Sequence, residues 1–182
     1  MQSPIALAGI QMNPLAFATR SVLVGSTLLD ITVVTLDGDR VVRADTLKLA
    51  NAQYYPIVSP DARWLAYAGA EKGSIQAFVT PFPSMDLQYK VSIDDASEPV
   101  WLPDGSLVYR DRQCWYRLRP RPGAVPPVQE PAPLFCDENF INGPGLSNAA
   151  TPDGSLLYLR TVSPTRAGYV RVVRGWARTL SQ

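Results

Sequence analysis

Histidine is absent from the 182 residues. That absence excludes more than any other count, since histidine is the commonest general base, metal ligand and proton shuttle near neutral pH. Neither a Ser-His-Asp nor a Cys-His catalytic centre can be built from this chain alone. Cysteine is scarce: Cys114 and Cys136 are the two present, enough for one disulfide and too few for an all-cysteine zinc site. A charge excess is missing as well. Lys plus Arg number 17 against 16 Asp plus Glu, a net +1, which argues against a general binder of nucleic acid or of membrane surfaces. No run of about 18 uninterrupted apolar residues offers a transmembrane helix. The apolar stretch from Pro4 to Ala18 ends in Ala16-Phe17-Ala18, the outline of a signal-peptidase site. It has no basic region before it, and Gln11, Asn13 and Pro14 interrupt it, so it reads as a pair of buried strands.

What is present points to short strands. Apolar residues make up 46% of the chain, and 17 Pro with 12 Gly interrupt it often, the composition of a globular protein of many turns. Self-similarity then decides the fold class. VSPDARWLAY at 58–67, WLPDGSLVY at 101–109 and ATPDGSLLYL at 150–159 repeat one pattern, with their Pro-Asp pairs 43 and 49 residues apart. A weaker copy, LAFATRSVLVG at 15–25, keeps the rhythm without the pair. Each copy makes sense as a tight hairpin. Pro presets φ at the second position of a type I turn, Asp suits the third, and Gly at the fourth admits a positive φ. The turn residues are thus Pro60 and Asp61, then Pro103, Asp104 and Gly105, then Pro152, Asp153 and Gly154. Ala62 occupies the fourth place of the first turn, where a positive φ strains it.

Reading onward from each turn gives units of four strands. The first unit, 13–50, takes strands at 14–18, 21–25, 30–36 and 45–50, with Asp37-Gly38-Asp39 as a turn. The second, 55–93, takes 55–59, 63–69, 74–82 and 87–93. The third, 97–137, takes 98–102, 106–111, 113–119 and 132–136, its last pair joined by the proline-rich RPRPGAVPPVQEP at 119–131. The fourth, 146–176, offers 147–150, 155–161 and 168–174, and Pro4 to Ala8 reads as a lone strand before the first unit. Four-stranded antiparallel units at this period are the arithmetic of a β-propeller; a β-sandwich also uses short strands but does not explain a repeated turn. The expected fold is therefore all-β, a partial β-propeller of about three full blades plus an incomplete fourth. The lone strand could complete that fourth unit and close a four-bladed ring.

SPDARWLAYAG at 59–69 with IQAFVTPFP at 75–83, and SEPVWLPDGSLVYRD at 97–111, resemble the WD40-like, TolB-like propeller repeats of bacteria. The closest likeness is to the C-terminal propeller of bacterial serine/threonine protein kinases. It extends to PLFCDENF at 133–140, ATPDGSLLYL, and a closing segment with a Trp, VRVVRGWARTL at 170–180. The resemblance implies a non-catalytic, protein-binding or sensory propeller, a segment of a longer kinase-like or TolB-like protein. Since that family builds larger rings, it favours an open arc that associates through its edges. Departures are Ala62 for the usual Gly, Arg174-Gly175 where the family favours Asn before the Trp, and Ala177 and Arg178 where acidic residues are usual. No glycine-rich phosphate loop, VAIK-like lysine, HRD or DFG segment occurs, so kinase activity does not transfer to this chain. The alternative reading is the propeller of a prolyl-oligopeptidase-like hydrolase without its catalytic domain.

Candidate sites carry a functional and a structural reading each. Asp61, Asp104 and Asp153 could converge on a metal, but bracing their own turns through Asx hydrogen bonds is the simpler role. Asp94-Asp95 and Asp137-Glu138 lack the alternation of a calcium loop. Trp64 and Trp101 flank the turns and suit packing between blades. Strand alternation puts Trp115, Arg117 and Arg119 on one face, an Arg-Trp composition found at protein interfaces. Residues 1–105 carry 7 basic and 11 acidic groups and 106–182 carry 10 and 5, which could steer an acidic partner to the second half. No cofactor, metal or catalytic residue is expected, and a protein is the expected partner. Cys114 and Cys136 fall on neighbouring strands of the third unit. Free thiols are expected in a reducing compartment and a disulfide in an oxidising one.

Overall fold

The repeat unit is visible as a sheet in the computed structural model, which describes residues 13–27, 30–47, 52–121, 123–124, 127–142, 146–161 and 172–173. Sheet 1 contains β1 (Asn13–Thr19), β2 (Val22–Ser26), β3 (Ile31–Asp37) and β4 (Arg40–Leu47). Sheet 2 contains β5 (Gln53–Val58), β6 (Trp64–Glu71), β7 (Ser74–Pro81) and β8 (Tyr89–Lys90). Sheet 3 contains β9 (Ser97–Trp101), β10 (Leu107–Asp111), β11 (Cys114–Leu118) and β12 (Ala132–Cys136). Sheet 4 contains β13 (Asn148–Ala150), β14 (Leu156–Tyr158) and β15 (Val172–Val173). Every sheet is an antiparallel meander with its strands in chain order. The described residues are all-β, with no helix among them.

One tripeptide explains why the sheets stack. After each Pro-Asp turn, β6, β10 and β14 carry Leu65-Ala66-Tyr67, Leu107-Val108-Tyr109 and Leu156-Leu157-Tyr158. Alternation along a strand sends the outer two side chains to one face and the middle one to the other. Leu65 and Tyr67 accordingly pack against Val24, Ile31 and Val33 of sheet 1. Leu107 and Tyr109 pack with Ala66, Ala77 and Val79 of sheet 2, and Leu156 and Tyr158 with Val100, Val108 and Trp115 of sheet 3. Sheets 2, 3 and 4 thus present Leu and Tyr to the sheet before, and sheets 2 and 3 turn the smaller Ala66 and Val108 toward the sheet after. Burial of each such side chain contributes roughly 1.5–3 kcal/mol, and these three cores lie between successive sheets.

The first strands run side by side: β1 contacts β5, β5 contacts β9, and β9 contacts β13. Two polar links reinforce this row. The Trp101 indole Nε1 donates to the Ile57 carbonyl at 3.0 Å, and the Asn148 amide donates to the Glu98 carboxylate at 2.8 Å. On β5 and β9 the register shifts at equivalent points, where Tyr55 (φ 56) and Glu98 (φ 53) adopt the left-handed region. Both precede a proline, Pro56 and Pro99, four residues before Pro60 and Pro103. A bulge there locally bends the strand and re-aims a side chain.

Two strands depart from the sequence reading. The fourth strand of the first unit occupies Arg40–Leu47 rather than 45–50. Gly38, at φ 58, lets Asp37 pair directly with Arg40, so the return strand starts at once. In the second unit only Tyr89–Lys90 forms strand within 87–93. The lone strand at 4–8, the ends of the 45–50 and 168–174 strands, and the closing segment with Trp176 lie outside the described residues. No helix among the described residues is long and apolar enough to cross a membrane.

Candidate functional site

The repeated turn is an Asx turn in all three sheets. The Asp61, Asp104 and Asp153 carboxylates accept hydrogen bonds from the backbone N–H two residues on, at Arg63 (3.2 Å), Ser106 (3.0 Å) and Ser155 (3.1 Å). In the second and third turns the Gly105 and Gly154 N–H groups close onto Leu102 and Thr151, and both glycines have positive φ. The first turn is one residue longer, since the Ser59 N–H pairs with the Trp64 carbonyl while its counterpart Leu102 pairs with Ser106. Ala62 there sits at φ 54. Each carboxylate is engaged within its own turn. Among the described residues no group of three potential metal ligands forms.

Asp104 differs from its two counterparts. Arg117 and Arg119 both direct their guanidinium groups onto its carboxylate, and Arg117 Nε also donates to Ser106 Oγ at 2.8 Å. Partial burial acts to raise the Asp104 carboxyl, but the Ser106 hydrogen bonds and the two arginines outweigh it and hold it below the usual range. Arg117 and Arg119 therefore do share a face, turned onto a turn of their own sheet. Trp115 must be removed from the candidate interaction residues. It is 0% exposed, stacked on Phe135 at 4.6 Å and edge-on to Phe140 at 5.1 Å, so it is core between sheets 3 and 4.

The acidic pairs also separate. Asp137 accepts from Tyr158 Oη at 2.8 Å and from the Asn139 N–H at 2.9 Å, and pairs with Arg160 at 3.2 Å. Partial burial acts to raise its carboxyl, while these partners hold it below the usual range. Asp94 and Asp95 lie close enough to Asp111 to help raise its carboxyl, after burial, the larger cause.

The most heavily buried charges escaped the sequence reading. Glu98 and Arg110 form an ion pair at 3.6 Å with side chains 2% and 6% exposed. Arg110 also donates to Ser97 Oγ and Asn142 Oδ1, both at 3.1 Å, and to the Arg112 carbonyl, and it lies 4.2 Å over the Phe140 ring. Burial, then the Glu98 charge, raise the nearby Tyr55 hydroxyl. The network joins β9, β10, the segment after β12, and sheet 4. Its one sequence signal is the repeated X-Pro four residues before Pro-Asp, whose place in sheet 4 is taken by Asn148.

Among the described residues, two open surfaces stand out. A cleft of about 500 Å³ lies between sheet 1 and the β7–β8 loop, floored by Val22, Val33, Phe82 and Met85 and rimmed by the Arg43–Asp45 ion pair. On the far face of sheet 4, Leu146 and Leu159 are exposed, 53% and 38%, beside Leu157. Leu157 is the middle residue of its tripeptide, whose counterparts Ala66 and Val108 are covered by the next sheet. The equivalent opposite face of sheet 1, at Leu23, Val34 and Leu36, is buried. Cys114 and Cys136 face each other in the β11–β12 register and form a disulfide.

The described residues thus define an all-β protein of stacked antiparallel meanders. No family model matches the chain, and no curated protein matches it.

Proposed function

We propose that the chain is an arc of a β-propeller serving as a non-catalytic protein-interaction scaffold, of the WD40-like, TolB-like kind that its repeats resemble. One observation carries this reading: four meander sheets lie with their first strands side by side, β1 to β5 to β9 to β13. Radial stacking of blades around an axis requires that order. The repeated Asx turn and the Leu-x-Tyr ridge support it, because they give successive sheets one common way to stack. The buried ionisable groups Glu98 and Arg110 neutralise each other, an architectural use of charge. Among the described residues the far face of sheet 4 is uncovered at Leu146 and Leu159, which favours an arc over a closed ring, and an arc presents edges and faces through which a scaffold associates.

Size-exclusion chromatography with light scattering tests the arc. Concentration-dependent self-association is expected. A stable monomer with residues 4–8 protected from hydrogen exchange would replace the arc by a closed four-bladed ring. The non-catalytic assignment is tested by assaying the purified chain for ATP-dependent phosphorylation and for peptidase and esterase turnover. Robust turnover in any of these would reject it.

A further inference from the structure

We infer that the Cys114–Cys136 disulfide is a redox latch that holds the outer strand of sheet 3, and through it the strap leading to sheet 4, in place. The inference rests on the geometry of sheets 3 and 4 and not on the propeller reading. Cys136 ends β12 and is exposed, while Cys114 begins β11 and is half-buried, so the bond lies at a sheet edge within reach of a soluble thiol.

The β12 backbone is fastened on one side, while its Leu134 and Phe135 side chains pack into the core between sheets 3 and 4. Among the described residues it pairs with β11 alone, and the register shifts between Trp115 and Tyr116. Pro133 cannot donate to the ladder. Ala132 and Pro133 are exposed, and Leu134 and Phe135 are half-buried. The 119–131 connection before it is tied by the Pro120–Val128 bridge and by the hydrogen bonds Arg121 N–H to Pro127 and Gln129 N–H to Arg119.

The next residues form the strap. From Asp137 to Asn142 the chain crosses to sheet 4. There Asp137 meets Tyr158 and Arg160, the Ile141 N–H donates to Leu159, and the Thr161 N–H donates to Asn139. On the sheet 3 side the strap's backbone is held by the Asp137 N–H to Gln113 carbonyl bond at 2.9 Å and by the Gln113 side chain to the Glu138 carbonyl at 3.1 Å. Both involve Gln113, which precedes Cys114, and reach the two residues that follow Cys136, so the covalent bond constrains them. Breaking it leaves the strap's backbone attached to sheet 4 and held to sheet 3 by these two hydrogen bonds, with Phe140 against Trp115 and Arg110, and Asn142 on Arg110, as its side-chain anchors.

The reductant is a dithiol. One of its thiolates attacks a protein sulfur to give a mixed disulfide, and its second thiolate displaces that sulfur. The Cys114–Cys136 S–S bond breaks and the dithiol's S–S bond forms. Two electrons and two protons are transferred to leave two protein thiols.

The test is hydrogen exchange by mass spectrometry on the full chain, oxidised and after treatment with a dithiol, with thiol counting to establish the state of the bond. Reduction is expected to occur in the folded protein. It should accelerate exchange about tenfold or more at 132–142 and at 159–161, a local opening, and leave 31–36 and 64–71 unchanged. A C114S/C136S variant should show the open pattern without reductant and no further response to it. Three results would overturn the latch. The bond could resist the dithiol until the protein unfolds, a fully reduced protein could exchange as the oxidised one does, or protection could fall equally in all four sheets.

Discussion

Replacing one member of the Glu98–Arg110 pair should destabilise the fold, and by unequal amounts for the two partners. Removing one partner of a buried ion pair costs about 3–5 kcal/mol, because the other charge stays out of water without compensation. The structure orders the two substitutions within that range. In Glu98→Gln, Arg110 keeps Ser97, Asn142, the Arg112 carbonyl and the Phe140 ring, so the loss belongs at the low end, about 3 kcal/mol. In Arg110→Met, the Glu98 carboxylate keeps the single hydrogen bond from Asn148 recorded among the described residues, which places the loss near 5 kcal/mol. With a urea m-value of about 2 kcal/mol/M, the midpoints should fall by about 1.5 M and 2.5 M. The double variant should cost less than the two singles together by at least about 1 kcal/mol, since it leaves no unpaired charge. Equilibrium urea unfolding of the four proteins measures all of this. Additivity within about 0.5 kcal/mol, or a larger loss from Glu98→Gln, would refute the assignment of the pair as the charge-neutralising link at this junction.

Stability should also fall in acid through Asp137 and Asp104. Both carboxyls titrate below their ordinary value in the folded protein, so as pH drops the unfolded chain takes up these protons first. The contribution is present above about pH 4 and is lost as pH falls through the lowered folded values. Urea midpoints between pH 6 and 2.5 should show it, and Asp137→Asn should flatten the decline. Ala62→Gly should stabilise by about 0.5–1 kcal/mol, because φ 54 suits glycine and part of the gain is offset by unfolded-chain entropy; a lower thermal midpoint would contradict this. Trp101→Phe keeps a ring in the core but removes the donor to Ile57, and should cost about 1–2 kcal/mol in urea unfolding.

The repeated turn was legible in the sequence because its causes are local. Proline restricts its own φ, aspartate reaches its own backbone, and glycine admits a positive φ, so Pro103-Asp104-Gly105 and Pro152-Asp153-Gly154 specify a hairpin wherever they sit. Alternation of apolar residues then placed most of the strands. The start of β4 was missed because the one glycine of a tight hairpin, Gly38, does not show by itself how soon pairing resumes. Trp115 was misassigned for a related reason. Alternation sorts side chains between two faces of a strand, but which face is covered depends on the next sheet.

The sequence by itself determined the all-β class and the turn chemistry, since each follows from neighbouring residues, and the repeat, since the same local pattern recurs 43 and then 49 residues on. Contacts between distant residues were decided by tertiary structure alone. Glu98 meets Asn148 across 50 residues, Trp101 meets Ile57 across 44, and Cys114 lands opposite Cys136 only once the β11–β12 register is set. The same holds for the backbone at Tyr55 and Glu98. Nothing local favours a left-handed tyrosine or glutamate, so it is the stacking of neighbouring sheets that holds them there, at a cost of about 1–3 kcal/mol each.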